Sequence, residues 1–185
     1  MALTKTPVCD FGKKAENFKL KSINNELITL NDIKGEKATL IMFICNHCPY
    51  VKAIIKDLAK DCNELKNDGI SSVAIMSNDT KNYPEDSFDN MMKFAESNNF
   101  RNINYLFDET QEIAKKYGAV CTPDFFGYNR NLELQYRGRF RELKDLKPIN
   151  NGDSDLKIAM KMVAQTQKGP DEQIPSMGCN IKWFS

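Results

Sequence analysis

The stretch from Thr39 to Met76 constrains the fold more than any other part of the chain. Thr39-Leu40-Ile41-Met42-Phe43-Ile44 is a continuous apolar run, the pattern of a strand covered on both faces. Pro49 then opens a helical pattern; proline suits a first helical turn, where its missing N–H would lack a partner anyway. Val51, Ile54, Ile55, Leu58, Cys62 and Leu65 recur at the spacing of one helix face. Gly69 stops that helix, and Ile70, Val73, Ala74, Ile75 and Met76 make a second strand. Strand, helix and strand in this order form a βαβ unit, so two parallel strands are joined by a right-handed crossover.

The flanks extend the same alternation. Phe18 and Leu20, and then Leu27, Ile28 and Leu30, bracket the turn-rich Ser22-Ile23-Asn24-Asn25-Glu26, which reads as a hairpin. A polar loop, Ser77 to Asn82, follows the second strand of the unit. Pro84-Glu85-Asp86 opens a helix carrying Phe88, Met91, Met92 and Ala95. A strand is expected over Ile103–Phe107, a helix over Gln111–Tyr117, and a strand over Phe125–Tyr128. Leu132 to Arg137 should pair with that last strand across Asn129-Arg130-Asn131. Asp153 to Gln165 reads as the final helix. The tail after it holds two Pro and two Gly and reads as irregular. The predicted fold is therefore α/β, with a mixed central sheet flanked by helices and an N-terminal hairpin extension. A length of 185 residues fits one domain, with its core over about 12–166 and the tail over 167–185.

Composition excludes several functions. A net charge of +1 offers no field for gripping nucleic acid. No apolar run approaches the roughly 20 residues of a membrane helix. Eleven Phe and six Tyr rule against disorder. The first residues lack the apolar segment of a secretory signal, so a cytoplasmic location is expected. Six cysteines are too few for a disulfide scaffold in a chain of this size.

Two of those cysteines carry chemistry. Cys45-Asn46-His47-Cys48 lies where the buried strand ends and the helix begins. Helix N-termini favour a thiolate over a thiol, through unpaired N–H groups and the positive end of the dipole. Cys45 is then the expected attacking thiolate. Cys48, about one turn into the helix, is the expected resolving thiol. His47, the one histidine of the chain, and Asn46 sit between them as tuning residues; a protonated imidazole would favour the Cys45 thiolate. The pair could instead be half of a zinc site. That would need further ligands, with Cys121, Cys179 and His47 converging, and no second close pair is present. Neither a metal nor an organic cofactor is called for.

The segment Phe43-Ile-Cys-Asn-His-Cys-Pro-Tyr-Val-Lys-Ala53 resembles the active-site region of the thioredoxin superfamily. It is most similar to bacterial peroxiredoxin-like redoxins of AhpC/TSA type that carry CNHCPYVKA. Asp108-Glu-Thr-Gln-Glu-Ile-Ala114, Ala119-Val-Cys-Thr-Pro-Asp-Phe-Phe126, Tyr136-Arg-Gly-Arg139 and Pro175-Ser-Met-Gly-Cys-Asn-Ile-Lys-Trp183 extend the likeness over nearly the whole chain. The resemblance implies a thioredoxin fold and a cis peptide at Pro123. Thr122 would then offer its backbone to a substrate strand. Thioredoxins carry a buried Asp where this chain has Thr39, so the proton acceptor lies elsewhere. The peroxidatic pattern that aligns on Cys48 is broken, with Cys45 in its Thr/Ser position and Ile41 in its Pro position. Phe140-Arg141-Glu142 leaves the stretch after Arg139 more basic than in relatives.

These features give a thiol–disulfide oxidoreductase acting on a protein or small-molecule disulfide and recharged by a separate reductant. A thiol-dependent peroxidase, with antioxidant function, is the alternative. A metal-handling thiol module is a third. Cys62 has the phase of a buried helix residue, and Cys9 lies in an N-terminal arm as a bystander. Cys121 and Cys179 are possible auxiliary thiols: Cys121 precedes Pro123 by two residues, and Cys179 lies in a tail whose Ile181, Trp183 and Phe184 call for burial. If the tail docks near the site, Cys179 could exchange with Cys121 or Cys45. The Asn78–Asn82 loop reads first as solvated and second as a wall of the substrate groove.

Overall fold

The computed structural model describes residues 2–185. Its strands are β1 (Leu3–Lys5), β2 (Lys19–Ser22), β3 (Leu27–Thr29), β4 (Ala38–Phe43), β5 (Ile70–Met76), β6 (Ile103–Phe107), β7 (Cys121–Thr122), β8 (Asp124–Asn129), β9 (Leu134–Tyr136), β10 (Leu143–Lys144), β11 (Lys147–Pro148) and β12 (Met177–Asn180). The α-helices are α1 (Leu30–Ile33), α2 (Pro49–Lys52), α3 (Ile55–Leu65), α4 (Phe88–Ser97), α5 (Glu112–Tyr117) and α6 (Asp155–Thr166).

Seven strands form the central sheet in the order β3-β2-β6-β5-β4-β8-β9. β4 pairs parallel with β5, and β5 with β6, while the pairs β4–β8, β8–β9, β2–β6 and β2–β3 are antiparallel. This is the mixed sheet that the alternation of strands and helices predicts, and the N-terminal hairpin joins its edge.

β4 shows why its sequence is apolar throughout. Leu40, Met42 and Ile44 enter one core, with Leu58 and Leu65 of α3 and Met160 and Val163 of α6. Ile41 and Phe43 enter the other, with Ile33 of α1, Tyr117 of α5 and Phe126 of β8. Successive strand residues point to opposite faces, so a strand sandwiched between two cores needs no polar position. Thr39 is buried as well, and its hydroxyl accepts from the Gly35 N–H at 2.9 Å.

Two expectations are corrected. The helix after Pro49 is not continuous: α2 ends at Lys52, and the Ile54 N–H bonds to the Val51 carbonyl at 3.1 Å, a tight i→i+3 turn, before α3 begins. The segment Pro84–Asp86 is a separate 3₁₀ turn, and Ser87 caps α4 through its side chain.

The tail is not irregular throughout. β12 lies between β1 and β7 in a three-stranded antiparallel sheet, with Leu3 opposite Cys179 and Cys179 opposite Thr122. Met177-Gly178-Cys179-Asn180 lacks the β-branched, alternating residues that mark a strand, so its pairing comes from tertiary docking. Ile181 is buried as expected, whereas Trp183 and Phe184 are exposed.

Candidate active site

β4 ends at Phe43, and the loop that follows carries both cysteines before Pro49 starts α2. Cys48 is the residue that caps α2, so the helix start falls after the Cys-Asn-His-Cys segment and not at Cys45. The helix-facing position therefore belongs to Cys48, contrary to the placement expected from sequence. Cys45 and Cys48 are 1% and 0% exposed, and Cys179 on β12 is 3% exposed.

The Thr122–Pro123 peptide is cis, as the resemblance implies. Thr122 meets both thiols: its hydroxyl oxygen lies 3.5 Å from the Cys45 sulfur, and its carbonyl oxygen accepts from the Cys48 thiol at 3.3 Å. The Cys48 and Cys179 sulfurs are 2.9 Å apart. Cys121 is also buried but points elsewhere, its thiol donating to the Pro123 carbonyl at 3.6 Å. Sequence reading puts Cys179 in exchange with Cys121 or Cys45; the structure sets its sulfur against that of Cys48.

The thiols differ in acidity. Cys48 is held well below the ordinary thiol range, chiefly by the hydrogen bond it receives from Cys45. Burial opposes this, while Cys179 and the N–H groups of Cys179 and Val51 assist it. Cys45 is pushed up, first because it donates to Cys48, then by burial and the charge of Asp86; the Thr122 hydroxyl acts in the opposite sense. Burial pushes Cys179 up as well. Sequence reading puts the helix start at Cys45; in the structure the helix start and the donors named above converge on Cys48.

Asp86 organises the loop. It is fully buried, and its carboxylate accepts from the Asn46 N–H at 2.8 Å and the Asn78 side-chain amide at 2.9 Å. His47 Nδ1 lies 2.6 Å from Oδ2 of the same carboxylate. His47 therefore faces Asp86, and its ring stacks on Tyr83. The Asn46 side chain donates to the Glu85 carbonyl and accepts from the Tyr105 hydroxyl; it fixes the loop. Sequence reasoning missed Asp86, because its Pro-Glu-Asp context reads as a helix start and only the fold brings it to Cys45.

A sulfur of Cys45, a ring nitrogen of His47 and a carboxylate oxygen of Asp86 lie within 4.8 Å of one another. Such a set is three quarters of a tetrahedral metal site, but Asp86 and His47 already spend these atoms on each other and on Asn46 and Asn78.

Below the cis peptide, Asp124 is fully buried and pairs with Arg137 through two contacts, at 3.3 and 3.0 Å. Burial raises the Asp124 carboxyl pKa, and Arg137 counteracts that. Arg139 pairs with Asp155 at 2.6 Å. These contacts give the Tyr136–Arg139 segment a structural task in holding β8, β9 and α6. Cys62 is buried on the α3 face as its spacing predicts, and burial lifts its thiol to about 12. Cys9 is half-buried, its thiol pushed up to about 11 chiefly by burial.

The Ser77–Asn82 loop is no solvated loop at its start: Asn78 and Asp79 are buried. Asn78 accepts from the Lys182 N–H at 2.9 Å, and the Asp79 N–H donates to the Lys182 carbonyl at 2.8 Å. Gln111 adds a bond to the Lys182 carbonyl and one from the Phe184 N–H. The tail is thus clamped to the loop that also holds Asp86. Beside β12 lies a hollow of about 470 Å³ whose walls include Tyr50, Ile54, Arg139, Pro175 and Met177.

A central mixed sheet flanked by helices, with a Cys-x-x-Cys loop facing a cis-proline, defines a thioredoxin-fold redoxin. The chain belongs to the AhpC/TSA family, whose model matches residues 11–140. An uncharacterised conserved protein of Geobacillus kaustophilus is 40% identical, with 100% of this chain and 97% of that chain covered and a TM-score of 0.94. A protein of Sinorhizobium meliloti 1021, described only as hypothetical, is 36% identical over 98% of this chain and 99% of that one, with a TM-score of 0.90. A secreted disulfide oxidoreductase of Mycobacterium tuberculosis, described as homologous to E. coli DsbE, shares the fold at 18% identity, with 64% of this chain and 80% of that one covered and a TM-score of 0.54. The comparison with curated proteins gave no match.

Proposed function

We propose that this protein is a thiol–disulfide oxidoreductase in which Cys48 attacks and Cys45 resolves, the reverse of the order expected from sequence. The observation that carries the reading is the meeting of both thiols on Thr122, with Cys48 at the N-cap position of α2. The Cys48 thiolate attacks one sulfur of a disulfide R–S–S–R′. A Cys48–S–S–R bond forms and R′S⁻ leaves. Cys45 gives up its proton and attacks the Cys48 sulfur; the Cys45–Cys48 disulfide forms and RS⁻ leaves. Two electrons pass to the substrate, and an external dithiol returns them. The His47–Asp86 pair, within 4.8 Å of the Cys45 sulfur, is the group placed to receive the Cys45 proton. No nucleic acid or membrane enters this chemistry, and a cytoplasmic setting would keep the dithiol reduced.

The burial of both thiols favours a second reading, since a small peroxide reaches a closed site more easily than a protein disulfide does. In that case Cys48 becomes a sulfenic acid, and Cys45 displaces water to close the disulfide. Stopped-flow rates of the reduced protein with oxidised glutathione and with hydrogen peroxide separate the two. Faster oxidation by the disulfide, lost in Cys48→Ser, supports the oxidoreductase. Faster oxidation by peroxide overturns it in favour of the peroxidase.

A further inference from the structure

An extended peptide pairing with the Thr122 backbone would bring its own sulfur to the Cys48 thiol. In this protein β12 already occupies that place, and it carries a cysteine opposite Thr122. The strand is held from both sides. The Ser176 hydroxyl donates to the Pro123 carbonyl at 2.8 Å, its N–H donates to the Thr6 hydroxyl at 3.0 Å, and Lys182 is clamped by Asn78, Asp79 and Gln111. Gly178 permits the close approach: a Cβ there would lie 2.0 Å from the Thr122 carbonyl oxygen. Between these anchors the Cys179 sulfur sits 2.9 Å from that of Cys48.

We propose that Cys179 is a third redox thiol, and that the oxidised protein carries a Cys48–Cys179 disulfide with β12 as its built-in substrate strand. This rests on reading Cys45–Cys48 as the exchanging pair. After one turnover Cys45 and Cys48 are joined. Cys179 loses its proton and attacks the Cys48 sulfur; the Cys48–Cys179 bond forms, the Cys45–Cys48 bond breaks, and Cys45 leaves as a thiolate that takes up a proton. One disulfide replaces another, so no further oxidant is consumed. The new bond fastens β12 across Thr122 and frees Cys45, whereas a Cys45–Cys48 bond leaves the strand held by hydrogen bonds alone.

The full-length reduced protein is treated with oxidised glutathione, quenched in acid, alkylated and mapped by mass spectrometry after digestion. The wild type should yield the Cys48–Cys179 linked peptide. Cys45→Ser should give the same peptide without accumulating a glutathione adduct on Cys48, and Cys179→Ser should stop at Cys45–Cys48. A wild type containing only Cys45–Cys48, with Cys45→Ser stalled as the glutathione adduct, overturns the proposal while leaving the oxidoreductase reading intact. Cys48–Cys179 formed as fast in Cys45→Ser as in the wild type, with no Cys45–Cys48 bond at any quench time, sustains the third thiol and defeats the reading of Cys45–Cys48 as the exchanging pair instead. Absence of any disulfide at Cys48 defeats both. The wild-type map stands on its own should either variant fold poorly.

Discussion

At the scale of single residues, the site depends on Asp86 as much as on its cysteines. One buried carboxylate orients Asn46, His47 and Asn78, and so ties the Cys-Asn-His-Cys loop to the loop that clamps the tail. Its charge is also one of the causes that hold Cys45 up, after the hydrogen bond to Cys48 and burial. Asp86→Asn removes that charge while keeping the shape. The Cys45 thiol should then become more acidic, and its alkylation, followed residue by residue in mass spectra, should begin at lower pH. Stability should fall by roughly 1–3 kcal/mol, the usual effect of leaving a buried donor poorly matched. An unchanged Cys45 profile would show that the charge does not reach the thiol. Cys48 is displaced below the ordinary thiol range and Cys45 and Cys179 above it, so alkylation read residue by residue in mass spectra should label Cys48 at lower pH than either of the others.

At the scale of elements, legibility follows from how local the cause is. β4 was readable because burial on both faces leaves a continuous apolar signature. α3 was readable because its buried face repeats at helical spacing. The start of α2 was misplaced relative to the cysteines, since Pro49 marks a first turn without saying whether the preceding residue caps it. β12 was unreadable: its short, glycine-containing segment becomes a strand through pairing with Leu3–Lys5 and Cys121–Thr122, residues far away in sequence. Its role as a cover can be tested at Gly178. In Gly178→Ala the new methyl group meets the Thr122 carbonyl oxygen, so the strand must shift. Alkylation of Cys48 by a bulky maleimide should speed up roughly tenfold, the equivalent of about 1.4 kcal/mol of lost docking. An unchanged rate would mean that β12 does not control access.

At the scale of the whole molecule, the sheet delivers Cys45 and Cys48 at the end of β4 while β7 and β8 deliver the cis-proline turn. The antiparallel β4–β8 pairing sets Phe43 opposite Asp124 and so brings the two loops face to face. The Cys-x-x-Cys spacing made the cysteine pair legible, whereas the cis peptide at Pro123 was legible only through the family resemblance of its segment. Asp86 and the Cys48–Cys179 contact depend on folded neighbours and carry no local signature. The central claim is that Cys48 is the attacking sulfur of the Cys45–Cys48 pair. The most direct test is the rate of the first thiol–disulfide step with oxidised glutathione in Cys45→Ser and Cys48→Ser, with the modified cysteine, glutathione-bound or linked to Cys179, located by mass spectrometry. Cys45→Ser should keep a fast first step at Cys48, and Cys48→Ser should lose it. A fast step retained in Cys48→Ser, with glutathione bound to Cys45, would contradict the account.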